Sequence, residues 1–408
     1  MGFFLSICCK TKAQIKMNKL IRITTVPISF GFIKEQLSYM TQHGFKVVGL
    51  SSSGDALQEL SKAEGIRTIA VDMNRRMSPF KDIVSLWKLY WVLKKEKPII
   101  VHSITPKAGL LSMLAAKMAG VPIRLHTFTG LIFPTSTGLT KKILITTDRI
   151  LCWAATNVYP EGEGVKKDLI NYNITKKPLK VLANGNVNGI DTSFFSLNTV
   201  SEETKQQLRQ ELGLKESDFV FVFVGRMVGD KGLNELITAF PAIHAQHPNA
   251  HLLLVGNFER KLDPLLPQTE EVINNHPTIH AVGYKKNVKE YFAISDALVF
   301  PSYREGFPNV VMQAGAMGLP AIVTNINGCN EIIEEGVNGL IIPTKDAEAL
   351  KEAMIKLMSD KELYTKLKSN SREMIVSRYE QKVVWKALLD EYKRLIDKLI
   401  VDNTIARR

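Results

Sequence analysis

Short runs of β-branched residues alternate with amphipathic segments through both halves of this 408-residue chain. Such alternation is typical of parallel sheets with helices on both faces, that is, of doubly wound α/β domains. The predicted strands lie at 19–25, 46–50, 67–71, 99–103, 123–127, 218–225, 251–255, 278–282, 297–300, 320–324 and 339–342. We therefore predict two similar doubly wound domains with a central cleft between the carboxyl ends of their strands, where such sheets bind ligands.

The Gly- and Asn-rich segment VLANGNVNGID separates the two halves and predicts a crossing between domains. Met17 opens a strand-like segment that contains KLIRITTV, so we interpret the residues before it as an upstream extension or as the result of a misassigned start. We predict an N-terminal extension at 1–16, a first domain at 17–187 and a second domain at 188–380. A closing helix at 381–408 is expected to pack back toward the first domain.

Positive charge is concentrated in the first half of the chain. Residues 1–200 contain 27 Lys and Arg against 12 Asp and Glu, whereas residues 201–408 contain 26 against 28. A one-sided positive charge indicates a polyanionic partner, which is a nucleic acid, an anionic membrane surface or a phosphorylated substrate.

The composition excludes several classes of protein. With 45% hydrophobic and 23% charged residues, the chain is neither disordered, collagenous nor a coiled coil. The cysteines Cys8, Cys9, Cys152 and Cys329 form no CxxC pair and no disulfide framework, which indicates a reducing cytosol. No apolar run approaches the ~20 residues of a membrane-spanning helix. For Cys8 and Cys9 we weigh palmitoylation against an inert disordered tail and favour the tail.

Residues 79–95 form a helical pattern with a broad apolar stripe that ends in lysines. The stripe consists of six side chains: Ile83, Leu86, Trp87, Tyr90, Trp91 and Leu93. The simplest interpretation is a helix that packs this stripe on the sheet.

The segment FVFVGRMVGDKG predicts a strand, a turn and the start of a helix. The apolar strand ends at Gly225, Arg226 follows at once, and Lys231 is expected to open the next helix. Such a turn places backbone N–H groups and two cations at one spot, which suits a diphosphate. The alternative is a solvated turn, and the spacing matches neither the P-loop nor the GxGxxG fingerprint.

The segment FPSYREGFPNVVMQAGAMGLPAIVT places Glu305 in a loop between a strand and a helix that begins near Pro308. A carboxylate at the carboxyl edge of a sheet can accept hydrogen bonds from sugar hydroxyls. Gln313 follows eight positions after Glu305. The alternative for Glu305 is a surface acid, but the patterning of the whole string favours a ligand site.

The first half contains two further candidate sites. His126 lies at the carboxyl end of a predicted strand in IRLHTFTG, where a single histidine is more often structural than functional. In VHSITPKAGL a strand ends in His102-Ser103, and Thr105-Pro106-Lys107 begins a helix to which Lys107 adds a cation. That helix start is either an acceptor-diphosphate site or an ordinary helix start with a surface lysine.

Residues 221–343 closely resemble the C-terminal nucleotide-sugar domain of the retaining glycosyltransferases of family four, which have the GT-B fold. The resemblance rests on the combined pattern GRMVGDKG, REGFPNVVMQAGAMGLP, NGCNEII and EEGVNGLIIP. The segment VHSITPKAGLLSMLAAKMAGVPIRLHTFTG is similar to a subgroup that builds capsular, O-antigen or lipid-linked oligosaccharides.

The resemblance implies a role for each matching position. Arg226 and Lys231 correspond to the pair that neutralises the leaving diphosphate, and Glu305 to the first acid of an E-x7-E motif, which contacts the donor sugar. Gln313 replaces the second Glu, and its amide can still bind the ribose. In the family, backbone amides of the loop before the helix contact the phosphates and the sugar. The matching positions in this sequence are Phe307, Pro308, Asn309 and Val310.

The resemblance also makes His126 the active-site histidine near the donor sugar. The segment TVPISFGF supplies a glycine loop at Gly31, although the usual double glycine of the family is absent. His102, Thr105 and Lys107 are then expected to bind an acceptor diphosphate.

The implied enzyme is a retaining glycosyltransferase that moves a hexose or N-acetylhexosamine from a nucleotide-diphosphate sugar, a UDP-sugar in particular. Its acceptor is a polyprenyl-diphosphate-linked saccharide in cell-surface polysaccharide synthesis, and its basic first half rests on the inner, anionic face of the cell membrane. The sequence has no D-x-D motif, so we expect neither a metal nor a cofactor, and no nucleic-acid partner. The alternatives are a UDP-sugar 2-epimerase of the same fold and a non-catalytic nucleotide-sugar-binding subunit.

Overall fold

The structure is a computed structural model, and it describes residues 18–74, 78–261 and 263–405. The predicted extension at 1–16, with Cys8 and Cys9, lies outside the described residues. Within them, no helix has both the length and the apolar character needed to cross a membrane.

The first half forms a six-stranded sheet in the order β3-β2-β1-β4-β5-β6. Its strands are β1 Asn18–Ile23, β2 Phe45–Ser51, β3 Arg67–Ala70, β4 Ile100–Ser103, β5 Ile123–Phe128 and β6 Asn157–Pro160. The pairs β1–β2, β2–β3, β1–β4 and β4–β5 are parallel. This is the strand order of the dinucleotide-binding α/β fold.

The second half forms another six-stranded sheet in the order β12-β11-β10-β7-β8-β9, and all of its strand pairs are parallel. Its strands are β7 Phe219–Val224, β8 Ala250–Val255, β9 Ile279–Gly283, β10 Ala297–Phe300, β11 Ala321–Thr324 and β12 Gly339–Ile342. Counted from β7, the order is that of the first sheet. The prediction of two doubly wound sheets is confirmed.

Helices connect the strands of each sheet. In the first half they are α1 Gln36–Gln42, α2 Asp55–Glu64, α3 Pro79–Glu96, α4 Pro106–Met118, α5 Gly138–Ala154 and α6 Glu163–Asn171. In the second half they are α7 Glu202–Glu211, α8 Leu233–Gln246, α9 Pro267–Asn275, α10 Lys289–Ala293, α11 Asn309–Ala316, α12 Cys329–Ile332, α13 Ala347–Ser359, α14 Lys361–Tyr379 and α15 Gln381–Ile405.

The central strands are buried on both faces, as near-continuous apolar runs predict. In β7 the four residues 220–223 are fully buried, and the whole of β8 is buried. The core of the second half consists of these strands and the apolar faces of α8, α11 and α13. Burial on both sides fixes the carboxyl ends of the strands, and with them the loops that carry the candidate site.

Helix α3 packs on a different face from the one the sequence predicts. Its buried residues are Ser85, Leu89 and Leu93, whereas Trp87 is 49% exposed and Trp91 is 64% exposed. The prediction that the broad apolar stripe is buried is therefore wrong at Ile83, Trp87 and Trp91, whereas Leu86 and Tyr90 are half-buried and Leu93 is buried. A narrow face of small and aliphatic side chains lets the helix lie closer to its neighbours.

The described chain divides into two compact units. The first unit contains the described residues up to His126, residues 147–157 and those from Leu395 onward. The second unit contains Thr127–Thr146 and Val158–Arg394. The domain boundaries at residues 187 and 380 stay predictions.

Candidate active site

The turn after β7 has the predicted layout of strand, turn and helix. Gly225 continues the strand, and its N–H donates to the carbonyl of Val255 at 2.9 Å. Arg226 follows, and a short 3-10 turn at Gly229–Lys231 leads into α8. Lys231 thus ends this turn. The prediction that Lys231 opens the next helix is wrong, because α8 begins at Leu233.

Lys231 and Glu305 form an ion pair between Nζ and Oε1. The hydroxyl of Ser302 donates to the same carboxylate oxygen at 2.9 Å. The side chains of the pair are 14% and 18% exposed, so water screens their attraction less than it would at the surface. This contact connects the β7–α8 turn to the β10–α11 loop.

Arg226 lies outside that ion pair. Its Nη1 donates to Oε2 of Glu259 at 3.0 Å, and its side chain is 48% exposed. An exposed ion pair of this kind contributes little to stability. The guanidinium can therefore exchange Glu259 for another anion at small cost.

The segment from Glu305 to Pro308 is packed tightly against its neighbours. A Cβ atom at Gly306 would lie 2.7 Å from the carbonyl oxygen of Thr129 and 2.9 Å from Oε2 of Glu161. Phe307 is buried, and its ring meets that of Tyr379 edge-on with centroids 5.5 Å apart. These contacts fix the loop just before α11.

Helix α11 begins at Asn309, with Pro308 as its N-cap residue. The Asn309 side chain accepts a hydrogen bond from Asn186 Nδ2 at 3.0 Å. Val310 and Gln313 occupy the first two turns and are half-buried. The first N–H groups of a helix lack partners within the helix and carry a partial positive charge, so this terminus suits an anion.

His126 is buried in β5, in the first unit. Its Nδ1 lies 2.8 Å from the hydroxyl of Ser103 at the end of β4. Burial lowers the pKa of His126 to about 3, so the imidazole is neutral at physiological pH. A neutral ring offers one donor and one acceptor and no charge.

The other first-unit candidates also have protein partners. Thr105 Oγ1 accepts from Thr25 N at 2.9 Å, and both carboxylate oxygens of Asp82 accept from Lys107 Nζ at 2.9 Å. Burial is the main cause that holds the pKa of His102 well below its ordinary value. The remaining candidate, the exposed Gly31, lies in a 3-10 turn at Pro27–Ile33.

The structure therefore brings the candidates together in two groups. The second unit contains Gly225, Arg226, Lys231, Glu305, Phe307, Pro308, Asn309, Val310 and Gln313. The first unit contains Gly31, His102, Thr105, Lys107 and His126. Over residues 18–74, 78–261 and 263–405, no group of three or more His, Cys, Asp or Glu side chains is arranged to hold a metal ion.

Comparison with known proteins gives the family. Residues 204–374 match the family model "Glycosyl transferases group 1", and residues 26–160 match "Glycosyl transferase 4-like". The capsular polysaccharide biosynthesis glycosyltransferase CapM of Staphylococcus aureus is 30% identical over 94% of this chain and 98% of its own length. This chain is a glycosyltransferase of family four.

Two further similarities agree with that assignment. The Escherichia coli UDP-Gal:α-D-GlcNAc-diphosphoundecaprenol α-1,3-galactosyltransferase is 30% identical over 75% of this glycosyltransferase and 78% of its own length. The structure of Anabaena Alr3699/HepE in complex with UDP superposes with a TM-score of 0.77 at 17% identity, covering 93% of this chain and all of that one. The two doubly wound sheets of this glycosyltransferase are thus those of the GT-B fold.

Two acidic residues of this glycosyltransferase were missed in the sequence. Glu331 lies within the quoted NGCNEII motif, and its carboxylate accepts from the backbone N–H groups of Glu163 at 2.6 Å and Gly164 at 3.0 Å. It thereby caps the start of α6. Glu161 directly follows β6 and is buried.

A signal for Glu161 was available. Like Glu305, Glu161 lies between the carboxyl end of a strand and the helix that follows it, but β6 and α6 were not assigned in the sequence. Burial raises the pKa of Glu161 well above its ordinary value, and the charges of Glu331 and Glu305 raise it further. A carboxyl group whose protonated form is favoured by burial therefore lies beside the loop that carries Glu305.

Proposed function

We propose that this glycosyltransferase moves a hexose or N-acetylhexosamine from a UDP-sugar to a lipid-linked saccharide during cell-surface polysaccharide synthesis, with retention of configuration. The observation that carries the proposal is the ion pair between Lys231 and Glu305, which joins two loops at the carboxyl end of the second sheet. The family resemblance implies that Lys231 neutralises the leaving diphosphate and that Glu305 is the acid that contacts the donor sugar.

The names of the relatives support the substrate classes. The E. coli relative uses UDP-Gal and a diphosphoundecaprenol-linked acceptor, and the S. aureus relative acts in capsular polysaccharide biosynthesis. The Anabaena structure holds UDP. These names favour a uridine nucleotide and a polyprenyl-diphosphate acceptor for this enzyme.

The reaction breaks the bond between the anomeric carbon and the diphosphate, and the electron pair leaves with UDP. An acceptor hydroxyl forms the new glycosidic bond and loses its proton. Negative charge grows on the diphosphate as the sugar becomes oxocarbenium-like, so fixed cations and N–H dipoles near that oxygen lower the barrier. We assign this role to Arg226, Lys231 and the start of α11, without a metal.

The first unit supplies the remaining assignments. Neutral His126 can hydrogen-bond the transferred sugar without adding charge to the reacting centre. An acceptor diphosphate would take Lys107 from Asp82, and Thr105 and His102 lie on the same strand-to-helix connection.

The exposed face of α3 supports a peripheral position on the inner face of the cell membrane. Phe80 is 88% exposed, and Ile83, Val84, Trp87 and Trp91 are each about half exposed or more. Lys81, Lys88, Lys94 and Lys95 lie on the same helix. Aromatic side chains beside lysines suit the boundary of an anionic leaflet, where each cation near the surface adds ~1 kcal/mol.

A transfer screen tests the proposal. The purified enzyme is incubated with radiolabelled nucleotide sugars and a lipid extract of the cell envelope, with a Lys231→Ala variant in parallel. We expect the label of one UDP-sugar to enter the lipid fraction with wild type only. Conversion of UDP-GlcNAc without any acceptor would instead identify an epimerase, and binding of UDP without turnover of any donor would identify a non-catalytic subunit.

A further inference from the structure

Three carboxyl groups lie near one another in the second unit, and two of them are fully accounted for. Glu305 is paired with Lys231 and accepts from Ser302. Glu331 accepts from three backbone N–H groups, those of Glu163, Gly164 and Gly328. The carboxyl groups of Glu305 and Glu331 are therefore both held by protein partners.

The third carboxyl group, that of Glu161, has no such partner. It is 5% exposed, and within the described residues its carboxyl group makes neither a hydrogen bond nor an ion pair. Its backbone is held on both sides, because its N–H donates to the carbonyl of Phe128 at 3.0 Å and its carbonyl accepts from Asn186 N at 2.9 Å. The position of this mostly buried residue is thus fixed by its backbone on both sides.

The carboxyl group of Glu161 points at the loop before α11. A Cβ atom at Gly306 would lie 2.9 Å from Glu161 Oε2, so the oxygen packs directly on the residue that follows Glu305. A carboxyl group that has no protein partner among the described residues, beside the loop that carries Glu305, can gain a partner when a ligand arrives.

We propose that Glu161 is a third carboxyl group of the donor-sugar site and that it donates a hydrogen bond to an oxygen atom of the transferred sugar. This inference rests on the proposed function. The groups that face Glu161 are the carboxylates of Glu305 and Glu331, and the nearby cation Lys231 is engaged by Glu305. Burial, and after it the charges of Glu331 and Glu305, raises the pKa of Glu161 and favours its protonated form, which can donate a hydrogen bond where a carboxylate can only accept one.

Calorimetry with UDP and with UDP-sugars separates this contact from a structural role. The probes are UDP, UDP-glucose, UDP-galactose and UDP-N-acetylglucosamine, and the variants are Glu161→Ala, Glu161→Gln and the control Glu163→Gln. Glu163 is two residues away, its side chain is 54% exposed, and it pairs only with Lys166 among the described residues. The measured quantity is the ratio of the Kd for UDP to the Kd for the tightest UDP-sugar.

We expect Glu161→Ala to leave the Kd for UDP unchanged within twofold and to weaken UDP-sugar binding about tenfold, as expected for one lost hydrogen bond. Glu161→Gln keeps an N–H donor and is expected to stay within about threefold of wild type. The proposal is overturned if Glu161→Ala keeps the wild-type ratio, if both ligands weaken equally, or if Glu161→Gln behaves like Glu161→Ala. Failure of wild type to bind any nucleotide would instead overturn the proposed function.

A second readout needs no ligand. The folded protein binds the Glu161 proton more tightly than the unfolded chain, so its contribution to stability falls as the pH rises above the unfolded pKa. Glutamine does not titrate, so the stability of Glu161→Gln lacks this fall with rising pH. We expect its Tm to match wild type near pH 4.5 and to exceed it by at least about 2–4 °C at pH 8, with Glu163→Gln unchanged at both. A Tm for Glu161→Gln that is lower than wild type at pH 8 would show an ionised Glu161 and overturn the proposal.

Discussion

The two units of this glycosyltransferase hold their candidate residues in different ways. In the second unit Lys231 and Glu305 come from different loops and contact each other. In the first unit three candidates are held by residues outside the proposed site: Thr105 binds Thr25, Lys107 binds Asp82 and His126 binds Ser103. The second unit thus contains a contact between two site residues, whereas these three first-unit contacts each join a site residue to a structural residue.

This difference teaches which parts of the site exist before a substrate binds. In the proposed donor site the cation Lys231 already lies beside Glu305, which suits a group that must stabilise charge with little rearrangement. In the proposed acceptor site Lys107 would have to release Asp82 before it could bind a phosphate. We therefore expect changes in the second unit to affect turnover and changes in the first unit to affect the KM for the acceptor.

The largest expected effect is that of Lys231→Ala. Removing one preorganised positive group from the leaving diphosphate is expected to lower kcat about 10²–10³-fold while the fold persists. Steady-state transfer assays and thermal unfolding measure the two properties. The control is Lys351→Ala, a lysine on α13 that pairs with Glu348 of the same helix. Transfer by Lys231→Ala at the wild-type rate would remove Lys231 from the site.

Lys107→Ala is expected to raise the KM for the polyprenyl-diphosphate acceptor about tenfold, since a charge-assisted hydrogen bond to a phosphate is lost. Asp82→Asn removes the competing carboxylate, so its KM is expected to stay equal or fall. Both changes break the same buried pair and should lower Tm alike. An equal rise of KM in both variants would mean that Lys107 is structural only.

A smaller effect is expected from the exposed face of α3. Replacing Trp87 and Trp91 together by Ala is expected to weaken binding to vesicles that contain anionic lipid about fivefold, because both rings lose their place at the interface. Co-sedimentation measures the binding. Tyr284→Ala is the control, since Tyr284 is 70% exposed in the second unit. Equal binding of the double variant and wild type would exclude α3 as the contact.

Gln313→Glu is expected to have the smallest effect. A carboxylate can accept from both ribose hydroxyls, so the affinity for UDP should stay equal or rise by no more than about threefold. Calorimetry with UDP measures it. A large loss of affinity would show that Gln313 has another role than ribose binding.

The strands were predictable because each is an apolar run that the sheet buries on both faces. β7 and β8 agree with the predicted ranges to within one residue at each end. The segment that contains α5, β6 and α6 was not assigned. β6 is only four residues long and ends in a proline, so neither length nor periodicity distinguishes it from a loop.

The site was only partly predictable for a related reason. Arg226, Lys231 and Glu305 could be located because each follows a recognisable strand. Their partners could not, since a contact such as Arg226 with Glu259 depends on tertiary packing. The same holds for α3, where the side chains with the greatest apolar area are exposed and Ser85 is buried. Amphipathicity indicates that a helix has an apolar face but not which protein surface covers it.

A crystal soaked with UDP tests the central claim most directly. The account predicts that Lys231 Nζ lies within hydrogen-bond distance of a diphosphate oxygen, about 2.7–3.2 Å, with the Arg226 guanidinium turned from Glu259 toward the same group. A nucleotide bound away from both cations, with the Lys231–Glu305 pair undisturbed and its diphosphate in contact with other residues, would contradict it.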